Sequence, residues 1–261
     1  DAALVLSALA GEGTYRPPGV DRRLRIAVSG RLPFPAGLLG GFIDAEIAAT
    51  LVQTGEVLES LGHHVVRPGS ADYGVRLWQD YGVRRAAGLY DWAYRQGGLA
   101  AVPDAAIRGR ARLGLALSQG ALRRARARET RQRERIGRVF DIVDLLVTPT
   151  TSVPAPRLAG DGATTVSPRR MLAMCPWTWP WNVLGWPAVS VPAGFTSDGL
   201  PVGVQLLGPP GSEHLLLSVA DMVMAANPRV AGNRTCSSPV RRHSPGNLRV
   251  LRAPRTAGHD R

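Results

Sequence analysis

The 261-residue chain contains no lysine: all 32 of its strongly basic residues are arginine. That excludes any mechanism in which a lysine amine of this chain moves a proton, because arginine, with a pKa above about 12, keeps its charge near neutral pH. Cysteine is nearly absent too. Cys175 and Cys236 are too few for a disulfide framework and lack the paired Cys/His spacing of a zinc site, which points to a reducing compartment. No apolar run reaches the roughly 18 residues that a membrane helix needs, and no basic region followed by an apolar core opens the chain. The expectation is a cytoplasmic protein with no membrane association. The five histidines form no HxxxH or HExxH set and the carboxylates are scattered, so neither a metal nor another cofactor is expected. Gly-x-Ser-x-Gly and phosphate-cradling glycine loops are missing as well.

What is present is a globular composition, 44% hydrophobic and 20% charged with a mean hydropathy of -0.05, enough for one large domain or two small ones. The formal charge of +12 is unevenly placed. Residues 1–107 carry 10 Arg against 11 acids, 108–138 carry 11 against 2, 139–226 carry 3 against 6, and 227–261 carry 8 against 1. Basicity therefore belongs to one segment and the tail, not to the core. From Arg108 to Arg138 the pattern is helical, with Leu113, Leu115, Leu117 and Leu122 followed by Glu129/Arg133 and Glu134/Arg138 at i,i+4. Without interleaved aromatics or a nucleic-acid motif, a solvated helix is favoured over a nucleic-acid surface. The tail, residues 227–261, has Pro, Ser, Gly and Arg without periodicity and is expected to be disordered.

Leu24 to Val28 reads as a strand, Asp44 as the cap of a helix with Ile47, Leu51, Leu58 and Leu61 inward, and Gly62 as its end. His63 to Val66 resumes as a strand, giving a βαβ unit with parallel pairing. The fold class is α/β. His63 and His64 read as a helix-to-strand connection rather than as a catalytic base. Asp72 to Tyr94 is helical, and Leu145 to Val147 forms an apolar strand expected to stop at Thr148-Pro149. After a loop from Thr150 to about Trp181, Ala188 to Pro192 and Val202 to Leu207 make a hairpin whose bend takes its positive φ at Asp198-Gly199. Ser212 caps a last helix, with Leu215, Leu216, Val219, Met222 and Val223 inward, that stops at Asn227-Pro228. Trp177, Trp179 and Trp181 alternate. In an extended stretch the three indoles would share one side, either flooring an apolar acyl pocket or packing on the sheet.

Three segments then stand together in order: Asp144-Leu-Leu-Val-Thr-Pro-Thr-Thr151, Trp181-Asn-Val-Leu-Gly-Trp-Pro-Ala-Val-Ser-Val-Pro-Ala-Gly194 and Gly199-Leu-Pro-Val-Gly-Val-Gln-Leu-Leu-Gly208. They closely resemble the C-terminal half of the amidase signature family, and with Asp1 to Gly11 resembling the helix after that family's signature region, the match covers about residues 1–226. The resemblance implies a layered α/β/α fold with a mixed central sheet, incomplete because the N-terminal half is absent. It also implies hydrolysis of a carboxylic amide to the acid and ammonia or an amine, through a serine, a second serine in cis peptide geometry and a lysine base. None of these three can be placed here, since Ser237-Ser238 is followed by Pro239 rather than set among glycines. The chain is therefore expected to be a piece, residues 1–226 plus the basic tail, that is inactive alone and holds no catalytic residue. Trp177, Trp179 and Asn182 are the expected substrate-binding residues, and a small-molecule amide is the expected partner of the parent, with a homodimer possible and nucleic acid disfavoured. The rival readings are the amidase-type amidotransferase subunit that serves as glutaminase in tRNA amidation, and a non-catalytic basic nucleic-acid-binding module.

Overall fold

A computed structural model describes residues 2–11, 19–33, 36–67, 74–117, 119–156 and 173–227. The expected tail lies outside them from residue 228 on, as do Asp72 and Cys236. Strands β1 (Arg25–Val28), β2 (His64–Val66), β3 (Leu145–Pro149), β4 (Ala188–Phe195) and β5 (Pro201–Leu207) form one sheet in the order β2-β1-β3-β5-β4. β1 pairs in parallel with both β2 and β3, whereas β5 runs antiparallel to β3 and to β4. The sheet is mixed, as the family resemblance implied.

Strand alternation sends successive side chains to opposite faces, so each face needs its own cover. On one face Ile26, Val28, Leu145, Val147, Val204 and Leu206 pack with α2 (Ala45–Ser60) and α8 (Glu213–Ala226). Asp44 starts α2 as expected, its carboxylate accepting from the N–H groups of Glu46 and Ile47 at 2.8 and 3.4 Å. The helix buries Ile47, Leu51 and Leu58. On the other face Ala27, Leu146 and Leu207 meet α3 (Gly74–Arg95), α6 (Glu129–Gly137) and α7 (Trp179–Leu184). The result is the α/β/α layering. Between α3 and α6 the chain makes α4 (Ala105–Leu115) and α5 (Gln119–Ala127), and α1 is Ala2–Ala10.

Two expectations are corrected. The arginine-rich segment is not one solvated helix but α4, α5 and α6, and α6 buries Gln132 and Ile136 against the sheet layer. Its Glu129 does reach Arg133, at 2.9 Å, and also Arg84 of α3, at 3.1 Å. The strand expected to stop at Thr148-Pro149 does so, with β3 ending at Pro149. Thr150 N–H donates to the Gly203 carbonyl, so the Pro149 nitrogen points to the opposite edge, where β1 has ended and no donor is needed. Ser212 stands at the start of α8, yet its hydroxyl donates to the Pro209 carbonyl at 2.6 Å instead of capping the helix.

The buried carboxylate of Asp80 on α3 is the main polar tie on the second face. It accepts from Arg128 Nε at 2.9 Å and from Gln132 Nε2 at 2.6 Å. Asp80→Ala removes the acceptor of both groups and should cost about 2 kcal/mol in urea unfolding, more than Asp91→Ala on the exposed side of the same helix. Equal, small effects would contradict the role given to Asp80.

At the amino ends of the strands His63 is buried, and its Nδ1 accepts the Leu24 N–H at 3.4 Å. This is the structural histidine that the sequence suggested, and burial holds its pKa below the ordinary value. The unfolded chain then takes up a proton below about pH 6.5 that the folded chain resists, so stability falls as pH drops through that point toward the lower folded pKa. In His63→Asn this part of the acid limb of a urea titration should vanish; an unchanged slope would show that other groups produce it.

Candidate functional site

β1, β2 and β3 are parallel, and in open α/β sheets the loops leaving the carboxyl ends of such strands gather into a crevice. Here the segment after β1 and the segment after β3 meet there. Ser152 joins them: its carbonyl accepts from Asp44 N–H at 2.8 Å, its own N–H donates to the Met174 carbonyl at 2.7 Å, and its hydroxyl donates to the Ala173 carbonyl at 3.1 Å. Between the two segments opens a cleft of about 210 Å³, lined by Gly40, Gly41, Phe42, Asp44, Ser152, Val153, Pro154, Pro156, Ala173 and Met174.

Backbone constraints shape this wall. Gly40 has φ +77°, and a Cβ on Gly41 would lie 2.7 Å from the Ala36 carbonyl oxygen, so both positions need glycine. The walls offer shape and apolar surface, with Phe42 more than half exposed at the mouth. Their ionisable and hydroxyl groups are already engaged, since Asp44 caps α2 and Ser152 is buried on carbonyls. Cys175, next to Met174, is a free thiol that burial pushes above its usual pKa, which leaves it protonated and a poor nucleophile near neutral pH. The hydroxyls of Thr150 and Ser190 pair with each other at 2.6 Å. Among the described residues no group of three or more His, Cys, Asp or Glu could hold a metal ion. The titratable groups His63 and Asp144 sit at the far, amino end of the sheet. There burial alone would raise Asp144, but the Arg22 guanidinium and the Arg25 N–H hold its pKa below the usual range.

The expected substrate-binding residues fall in three different places. Residues 179–184 are a helix, not an extended stretch, because Pro180 suits a first turn and Gly185, at φ +66°, closes the last one. The three indoles therefore do not share a side. Trp179 lies against Trp78 and Tyr81, with centroids 5.5 and 4.9 Å away, whereas Trp181 lies against Phe140 and Trp186, both at 5.9 Å. Asn182 is exposed. Trp177 is buried beneath the crevice, where its Nε1–H donates to the Arg31 carbonyl at 3.0 Å and its own carbonyl accepts from Gln205 Nε2 at 3.4 Å. It ties the segment after β1 to β5. The wall residues themselves were missed in the sequence, although their position directly after two correctly read parallel strands was a usable signal.

Residues 15–217 match the family model described as Amidase, and the chain belongs to that family. It is 44% identical over 241 residues to the "Putative amidase AmiA2" of Mycobacterium tuberculosis (strain ATCC 25618 / H37Rv), covering 84% of this chain and 48% of that protein. A shorter stretch of 97 residues, 37% of this chain and 19% of the relative, is 45% identical to a glutamyl-tRNA(Gln) amidotransferase subunit of Myxococcus xanthus (strain DK1622). Among solved structures, 6-aminohexanoate cyclic dimer hydrolase is similar with a TM-score of 0.63 at 27% identity, over 83% of this chain and 47% of that one. The chain thus spans about half the length of the leading curated relatives it matches.

Trp177→Phe keeps an aromatic ring at this buried position, deletes the indole N–H that bonds Arg31 and leaves part of the indole's volume unfilled. We expect a loss of about 2 kcal/mol and faster amide exchange in residues 29–33, with exchange in α2 unchanged; unaltered exchange beside Arg31 would remove the tie assigned to Trp177.

Proposed function

We propose that this chain supplies the substrate-binding wall of an amidase that hydrolyses a carboxylic amide to the acid and ammonia or an amine. The nucleophilic serine, the serine in cis geometry and the lysine base belong, in this reading, to the remainder of the enzyme. The observation that carries it is a cleft at the expected end of an amidase-family sheet whose own polar side chains are all committed to the fold. A hydroxyl is a weak nucleophile until a neighbouring base takes its proton, and the departing amine needs a proton returned. Arginine does neither, and the chain has no lysine. What the wall contributes is orientation: an apolar acyl group held against Phe42, Val153, Pro154 and Met174 brings its carbonyl to groups that do the chemistry. Trp177 supports that wall from beneath, and Asn182 and Trp179 remain proposed contacts of the assembled enzyme. A reducing, cytoplasmic setting accords with the free thiol of Cys175. Among the described residues no helix is long and apolar enough to cross a membrane.

The match to the tRNA amidotransferase favours a second reading in which glutamine is the amide, but it extends over far less of the chain than the match to AmiA2. Ammonia release from glutamine only in the presence of a partner protein would mark that case.

The purified chain should release no ammonia from benzamide or propionamide above the buffer blank, while benzamide shifts the NMR signals of Phe42 and Met174. Turnover by the chain alone that survives serine-directed reagents would overturn this assignment of roles.

A further inference from the structure

On α2 the exposed residues Glu46, Ala49, Val52 and Glu56 recur at three- and four-residue spacing, so they form one stripe along the outer side of the helix. Phe195, at the end of β4, lies alongside, and together these residues border a surface groove of about 490 Å³. Its middle is apolar and open to water, Val52 being 50% and Phe195 36% exposed. Its ends are acidic. Glu46 Oε1 accepts the Ser197 N–H at 2.7 Å, neither glutamate is in an ion pair among the described residues, and no arginine lines the groove. The chain leaves the last helix beside this groove. At the end of α8 the buried Asn227, in extended conformation, donates from Nδ2 to the Ala193 carbonyl at 2.7 Å, two residues along β4 from Phe195. The 34 residues that follow carry 8 Arg against 1 acid.

We propose that residues 228–234 of this chain dock along α2 as an extended strap, with Arg229 on Glu46, Val230 against Phe195 and Val52, and Arg234 on Glu56. Three observations converge on this occupant. Its charge is opposite to that of the groove, and its first residue is tethered two strand positions from the groove's apolar middle. The spacing also agrees: Glu46 and Glu56 are ten helical residues apart, about 15 Å, and Arg229 and Arg234 are five residues apart, which an extended chain spans in about 16 Å. Exposed arginine–carboxylate pairs are individually weak. A tether this short compensates, because it holds the arginines near the groove at an effective concentration that free peptide would not reach. A strap of this kind needs no core of its own, which suits a segment without hydrophobic periodicity. Neither the amidase reading nor the cleft after β1 and β3 enters this argument.

The test uses the full chain, limited trypsin digestion and NMR. Arg229 and Arg249 are both followed by valine, so their cleavage rates compare directly. At low salt cleavage after Arg229 should be the slower, and high salt should remove the difference. Glu46→Gln should speed cleavage after Arg229, and Glu56→Gln cleavage after Arg234, each about twofold to threefold. Glu134→Gln, which removes the same charge on α6 across the sheet, should change neither. Replacing Arg229 and Arg234 together by Gln should shift the NMR signals of Val52 and Phe195. Reversing both partners, Glu56→Arg with Arg234→Glu, should restore the Phe195 shift that Glu56→Arg alone removes. Equal cleavage after Arg229 and Arg249 at low salt, or Val52 and Phe195 signals indifferent to the loss of both arginines, would overturn the proposal. So would protection that fades on dilution of the chain, which would make the occupant the tail of a second copy.

Discussion

The fold depends on the pairing of β3. All five of its residues are buried, so none of its peptide groups has water to fall back on, and each must find a partner in a neighbouring strand. β1 answers one edge in parallel and β5 answers the other in antiparallel sense. Both ends are finished by specific groups. At the amino end Asp144 N–H donates to the Arg25 carbonyl while its carboxylate accepts the Arg25 N–H, each at 2.7 Å. At the carboxyl end Thr150 N–H reaches Gly203, and Pro149 falls where β1 no longer needs a donor. Because β3 is where the parallel half of the sheet meets the antiparallel half, its direction decides which loops meet at each end.

That decision separates charge from shape. The amino end carries the Arg22–Asp144 pair and the buried His63, groups that fasten loops to strand starts. The carboxyl end carries glycine, proline and Ser152, groups that set backbone paths and leave a cleft between them, and the one carboxylate in its lining, Asp44, is spent on capping α2. Charged tethers at the cleft would have to be desolvated with every ligand that entered, whereas hydrogen bonds made within the backbone, such as those of Ser152, are indifferent to an apolar visitor. The arrangement favours recognition by complementarity of form.

Most of the fold was legible in the sequence. Asp44, the α2 stripe, the apolar run before Pro149 and the Asp198-Gly199 bend each carry a local signal with a physical cause, and the strands they delimit lie within a few residues of expectation. The signature-like segments then supplied the layering. What misled was period: Trp177, Trp179 and Trp181 alternate as in a strand, yet Pro180 and Gly185 were the stronger signals, and they are those of a short helix. Ser212 misled differently, because a hydroxyl can satisfy a turn carbonyl as readily as a helix N–H. The cleft was not legible because its walls are ordinary residues, made a site only by the convergence of segments more than 100 positions apart, as in the hydrogen bond between Asp44 and Ser152.

The exclusive use of arginine gives the chain's electrostatics one character. A guanidinium is permanently charged, planar and forked, so it serves wherever a fixed charge must hold an oxygen: on Asp80, on Asp144 and on Glu129. It is useless where a proton must leave and return. Lysine can do both, since burial shifts its pKa toward neutrality, and an arginine put in its place keeps the charge but loses the chemistry. The 32 arginines can therefore be numerous without supplying one general base. Any step that needs a lysine amine to give up and regain a proton is therefore closed to this stretch of sequence, however much positive charge it carries.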